Sequence, residues 1–208
     1  MIYEIEIYPP LKDKVNQPIA ELKHAVVDTG GQGRLILKRN KTNKHVSSCA
    51  QYHSALQQGF TANTNESRAL VSFYTLWCGS LNWLAHAKTS TVSYVKNFNL
   101  TTDYASLPSQ IFFTRLGDSN QAKTLIEKYP DATLTSIQPT SVTLDSKKSQ
   151  LTMVINLLAR ADFSNNNQQD LLVSVAEFSH IDNFKHYGIY ALQKNSKNGA
   201  FKKIEKPE

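Results

Sequence analysis

Only two cysteines, two methionines and two tryptophans stand among 208 residues, and no apolar run approaches the roughly 18 residues of a membrane-crossing helix. A helical membrane span is thereby excluded. The common catalytic signatures are missing too: there is no Gly-x-Ser-x-Gly, no His-Glu-x-x-His and no Walker loop. Without Cys-x-x-Cys spacing the chain is no zinc ribbon. No segment repeats, which argues against a propeller. No basic run is interleaved with aromatics, so nucleic acid is not the expected partner. The first ten residues show neither a basic n-region nor a long apolar h-region. That leaves two readings, a cytosolic protein or an exported one whose signal peptide has been removed.

What is present suits a folded domain. Hydrophobic residues make up 40% and charged residues 19%, and a chain of this length buries a core without many disulfides or metals. The formal net charge is +6 and the pI about 9.2, which suits an acidic partner protein or an anionic envelope surface. Lys38, Arg39, Lys41 and Lys44 form one basic cluster, and Lys202 and Lys203 belong to a second near the C-terminus. Both are candidate contacts for an acidic partner, set against the ordinary role of solvated charge.

Residues 2–8 alternate apolar and acidic side chains and end at Pro9-Pro10, which suits a short strand. Residues 24–29 and 34–39 read as two strands around Gly30-Gly31-Gln32-Gly33. Those glycines could cradle phosphate only with a helix directly behind them, and the strand-like Leu35-Ile36-Leu37 follows instead. Residues 45–60 have helical composition, with Gly59 as the stop. A second helix over 66–87 has Asn65 as its N-cap and a stripe of Leu70, Tyr74, Trp77, Leu81 and Leu84. Beyond it residues 89–107 are polar with scattered aromatics, a short helix or loop is expected around 92–98, and a surface helix over 119–129 before Pro130. Residues 133–144, interrupted by Pro139, suit an edge strand. The C-terminal part reads as strands over 150–161, 170–178, 187–194 and 200–204, with Asn198-Gly199 as a hairpin signal. The expected fold class is α+β, an antiparallel β-meander packed against an α-helical hairpin. N-terminal strands and an extension would cover 1–44 and the α+β domain 45–208, with the hairpin at 45–87 and the sheet at 150–205, the whole expected as one compact unit.

Two helices joined by about five residues normally fold back antiparallel. Folded about Asn63, the chain brings Cys49 and Cys78 to the same height on neighbouring helices. A disulfide there would persist in the periplasm or outside the cell. Three other readings stay open: two buried free thiols, a metal site using Cys49, His53 and Cys78, and a Cys49–His53 nucleophilic pair.

Between the two longest strands lies Asp162-Phe163-Ser164-Asn165-Asn166-Asn167-Gln168-Gln169-Asp170-Leu171-Leu172-Val173, with oxygen side chains at alternating positions. It resembles the Asp-Phe-Asn-Gly-Asp-Gly-x-x-Asp-Leu-Leu-Val segment of FG-GAP and VCBS-type repeats, which also recurs singly in exported bacterial proteins. The resemblance covers about a dozen residues. It implies calcium bound by Asp162, Ser164, Asn166, the backbone carbonyl of Gln168, and Asp170. Asn165 and Asn167 stand where the pattern has glycines, and only two ligands are carboxylates, which implies weak affinity, ~10⁻⁴ to 10⁻³ M. The other reading is a polar turn braced by its own Asx-type hydrogen bonds.

The function expected from these features is an exported, non-catalytic protein that binds another protein, in the manner of a periplasmic immunity protein blocking a toxic enzyme. A cell-envelope hydrolase using His53, His86 or His180 between helices and sheet is the first alternative. A calcium-dependent structural or adhesive module is the second.

Overall fold

The computed structural model describes residues 2–9, 11–15, 17–29, 31, 33–113 and 121–205. In chain order these form β1 (Glu6–Ile7), α1 (Ile19–Leu22), β2 (Leu35–Arg39), β3 (Thr42–Val46), α2 (Cys49–Gln57), α3 (Asn65–Ala85), β4 (Val92–Ser93), α4 (Leu100–Asp103) and α5 (Leu125–Lys128). Then come β5 (Thr133–Gln138), β6 (Ser141–Ser146), β7 (Leu151–Ala161), β8 (Gln168–Ser179), β9 (Lys185–Gln193) and β10 (Lys202–Lys203). They group into two units, Val15–Ala85 and Met1–Lys14 with His86–Glu208. The boundary expected at residue 44/45 falls inside β3, whose pairing with β2 leaves no break there.

In the Val15–Ala85 unit, Leu35 and Leu37 alternate with exposed residues and pair with β3, where Val46 is equally buried. The hairpin turns at Asn40–Lys41, with Asn40 at φ 55°, a conformation asparagine tolerates better than most residues. This corrects the expected pairing of 24–29 with 34–39. Residues 24–29 form no strand and contribute only an isolated bridge, Val26 to Ser48. Gly30 and Gln32 of the glycine turn lie outside the described residues. The helix expected from residue 45 starts at Cys49, because His45 and Val46 are still paired with Ile36 and Leu35.

Ser48 caps α2 by accepting the Gln51 N–H, and Gly59, at φ 77°, stops it as the sequence suggests. The cap of α3 is Thr64 rather than Asn65: the Thr64 hydroxyl accepts the Ser67 N–H at 3.1 Å. Leu70, Tyr74 and Leu81 are buried and Trp77 only partly so. Tyr74 donates its hydroxyl to the Val46 carbonyl at 2.8 Å and Ser67 donates to that of Ile36 at 2.7 Å, which fastens α3 to the two-stranded sheet.

In the other unit β10-β9-β8-β7-β6-β5 form an antiparallel meander in that spatial order. β1 also pairs with β7, and β4 runs parallel to β8. The four strands expected over 150–204 are present. Residues 133–144 are two strands, reversing at Pro139–Thr140. The helix expected over 119–129 shrinks to α5, capped by Thr124, and residues 114–120 lie outside the described residues.

The α+β class with an antiparallel meander is what the chain adopts, and each unit closes a core of its own. The helices close their core on β2 and β3, joining Leu35, Leu37 and Val46 to Tyr52, Leu70 and Tyr74. The meander buries Met153, Ile155, Val173 and Val175 with Phe98, Leu100, Leu107, Ile111 and Leu125 from the short helices and turns of the stretch described at 95–113 and 121–129. That stretch was unreadable as cover because its elements are only three or four residues long and show no period.

Candidate functional site

The turn between β7 and β8 draws both its aspartates inward. Asp162 and Asp170 are 2% and 0% exposed. Asp162 accepts the Asn166 N–H on Oδ1 at 3.2 Å and the Asn167 N–H on Oδ2 at 2.7 Å. Asp170 Oδ2 takes the N–H groups of Phe163 and Ser164 at 3.1 and 3.2 Å and the Ser164 hydroxyl at 3.0 Å. Asn166 folds its side-chain oxygen onto the Gln168 N–H at 2.9 Å, an Asx turn. Gln168 is committed as well: its side-chain amide donates to the Lys194 carbonyl, and the residue pairs with Val92. All five residues suggested as ligands therefore converge on one turn, and most of their polar atoms brace its backbone.

The two asparagines in the glycine positions explain themselves. Asn165 and Asn167 have φ of 58° and 64°, the left-handed conformation for which glycine is the usual choice. Unlike glycine, they also reach sideways. Asn165 accepts a hydrogen bond from Lys88 Nζ at 2.6 Å, and Asn167 exchanges two with Thr91, at 2.7 and 3.0 Å. The turn thus clamps residues 88–93 alongside β8, a role that sequence spacing could not reveal because its partners lie 76 residues away.

Two buried atoms of the turn, Gln169 Nε2 and Asp170 Oδ1, have no hydrogen-bond partner among the described residues. Burial raises the Asp170 carboxyl to about 6, and the neighbouring Asp162 charge adds to the rise against the Ser164 and Phe163 hydrogen bonds. This is the point at which the residues fit a cation: an inward carboxylate oxygen beside a second acid. Among the described residues no three His, Cys, Asp or Glu side chains are grouped to hold a metal. Serine and amide oxygens would have to complete the coordination.

Cys49 and Cys78 are disulfide-bonded with Cα atoms 5.3 Å apart, and both are buried. The open thiol, metal and Cys49–His53 nucleophile readings are thereby set aside. Part of the first basic cluster serves α2. Arg39 donates to the Gln58 carbonyl at 2.7 Å, and Lys44 to the Gln58 side chain at 2.9 Å while lying 5.5 Å from the Phe60 ring. Cations at a helix C-terminus are stabilising there whatever else they touch. Lys38 and Lys41 are exposed, as are Lys202 and Lys203, with Lys203 5.5 Å from the Tyr190 ring.

Two polar clusters join residues distant in the chain, the first around His180, one of the histidines suggested for a hydrolase, and the second unforeseen. His180 Nε2 lies 2.9 Å from the Thr152 hydroxyl and 3.1 Å from Asp145 Oδ1, and Thr152 itself donates to Asp145 at 3.0 Å. A nucleophile–base–acid relay needs the hydroxyl and the carboxylate on opposite ring nitrogens. Here both sit on one, so the group closes a triangle. In the second cluster the fully buried Glu177 accepts the Phe113 N–H at 2.7 Å and the Tyr129 hydroxyl at 3.2 Å. Nearby, His186 Nε2 meets the Tyr190 hydroxyl at 3.2 Å. Burial, aided by Lys128, lowers the His186 pKa. Gly188 leaves the room in which the Tyr190 ring lies, since a Cβ there would overlap it.

The two edges of the meander are unlike. One ends on β10, two lysines long. The other is β5, Thr-Leu-Thr-Ser-Ile-Gln, six uncharged residues of which all but Leu134 are exposed. A bulge at Thr135 separates Leu134, opposite the buried Leu144, from Ile137, opposite the buried Val142. The extra residue puts both apolar side chains on the core face despite their odd spacing. Ile137 is nevertheless 58% exposed. It forms one wall of a groove of about 610 Å³ whose other sides include Tyr8, Phe98, Leu100, Leu157 and Arg160. The chain matches no protein-family model, no curated protein and no solved structure.

Proposed function

We propose that this protein works by binding another protein, outside the cytosol and without catalysis of its own. The observation that carries this reading is β5, an uncharged strand at the rim of the sheet where the apolar face runs out into solvent. Soluble proteins normally guard such edges with lysine, proline or a covering segment, as β10 does at the far rim, and exposed apolar surface beside open backbone marks a contact site. The Cys49–Cys78 bond supports an oxidising compartment such as the periplasm. A net charge of +6 favours an acidic partner, and blocking a toxic effector enzyme in the manner of immunity proteins is the role in which these properties meet. The test is cross-linking of the tagged protein in cell-envelope extract, with partners identified by mass spectrometry. A protein partner recovered in near-stoichiometric amount is the expected result; a protein that cross-links to nothing refutes the reading.

A second reading rests on the buried, donorless Asp170 Oδ1. Calcium bound at the FG-GAP-like turn would make the protein a calcium-dependent structural module. Millimolar calcium should then raise the melting temperature, and Asp162→Ala should abolish the rise. An unchanged melting temperature leaves the turn to its own hydrogen bonds.

A further inference from the structure

We infer that β5 and the groove beside it form a docking site for an extended acidic segment of the partner, which adds to the sheet as another strand. The inference rests on the protein-binding reading and specifies its surface and ligand.

Three features select this occupant. Among the described residues β5 is hydrogen-bonded to β6 on one side only, so its other side offers main-chain donors and acceptors of the kind a β-strand partner uses. A strand laid there continues the core face outward from Ile137. Its own side chain on that face enters the groove against Ile137, which is 58% exposed, beside the buried Phe98 and Leu100 that also line it. At the far wall stands Arg160. Its guanidinium donates to the Phe98 carbonyl at 2.6 Å and lies 5.6 Å from the Tyr8 ring. Its one carboxylate contact among the described residues, Glu6, is long, at 3.5 Å, and Glu6 is 46% exposed. A carboxylate on a segment running past Gln138 into the groove would share or replace Glu6 at that cation. The partner segment is therefore extended, apolar at alternate positions and acidic at the end that passes Gln138. A second copy of this chain is the poorer occupant, because β5 carries no acid and both molecules would bear the same net charge of +6.

The test uses the whole protein and synthetic peptides of about ten residues, alternating Val with Thr and ending in two Asp, against the same peptides ending in two Lys. Binding is followed by fluorescence anisotropy and backbone hydrogen exchange. The acidic peptide should bind and slow exchange at residues 133–138, and the basic one should bind at least about tenfold more weakly. Ile137→Lys, at an exposed position, should cost about tenfold or more in affinity. Glu6→Gln should raise affinity for the acidic peptide several-fold by removing the competing carboxylate. Binding without protection of 133–138, equal binding of both peptides, or no binding at millimolar concentration overturns the proposal. So does protection of 133–138 that grows with protein concentration alone, which assigns the edge to a second copy. Failure of the peptides leaves the protein-binding reading standing, since that reading falls only if no protein cross-links.

Discussion

At the scale of single residues, the β7–β8 turn concentrates the chemistry of the chain in a few atoms. Asp170 titrates at about 6 in the folded chain, against about 3.9 for an unfolded aspartate. The folded state therefore binds this proton more tightly. The contribution to stability is full below about pH 4 and is lost as pH rises through 6, a swing of about 2–3 kcal/mol. Asp170→Asn removes the titration and should flatten stability against pH between 4 and 6, as measured by urea unfolding at steps across that range. An unchanged slope would show that another group carries it. At Asn167 two effects oppose each other. Glycine would relax the φ of 64° but lose both hydrogen bonds to Thr91. At about 1 kcal/mol per hydrogen bond, the losses outweigh the relief of strain. Asn167→Gly should destabilise by about 1 kcal/mol in equilibrium unfolding, whereas a turn without the clamp would gain stability from the same change.

At the scale of elements, the disulfide and the helix caps act on different states of the chain. The bond joins the first residue of α2 to the α3 residue 29 positions on. Closing a loop of that size restricts the unfolded chain and stabilises by roughly 3.6 kcal/mol on the chain-entropy model. The double variant Cys49→Ala, Cys78→Ala should lose about that amount, less whatever packing the two small side chains restore. Denaturant titration would register it as a lower midpoint with the transition still cooperative. The caps act on the folded helices instead. Thr64→Ala should cost about 1 kcal/mol, because the Ser67 N–H loses its acceptor while the Ser67 hydroxyl keeps its bond to Ile36. The bulge in β5 belongs to the same scale. It keeps Leu134 and Ile137 on one face and thereby leaves an apolar residue at the open rim.

At the scale of the whole molecule, calcium and protons should compete. A cation at the turn favours the ionised form of Asp170 and so is opposed by its protonation below about pH 6. Any rise in melting temperature caused by calcium should therefore be larger at pH 7 than at pH 5, as differential scanning fluorimetry would show. A calcium effect of equal size at both values would place the ion elsewhere. Much of the fold was legible beforehand. Strands β7 and β8 announce themselves as apolar runs on either side of a polar turn, α3 by its stripe, and the disulfide by the matched heights of Cys49 and Cys78 on two helices joined by a short link. These are local signals, since period, cap and loop length act between near neighbours. The sequence by itself determined the α+β class, the meander, the facing cysteines and the polar turn at 162–170. Tertiary structure alone decided that β2 pairs forward with β3, because Leu35 competes for Val46 through burial rather than through the glycines behind it. It also decided that residues 95–112 and 125–129 supply cover to the sheet, that Asn165 and Asn167 hold residues 88–93, and that β5 ends the meander with Ile137 in solvent. Each of these depends on residues distant in the chain meeting in space, where side-chain volume and unpaired backbone groups settle what no local pattern encodes.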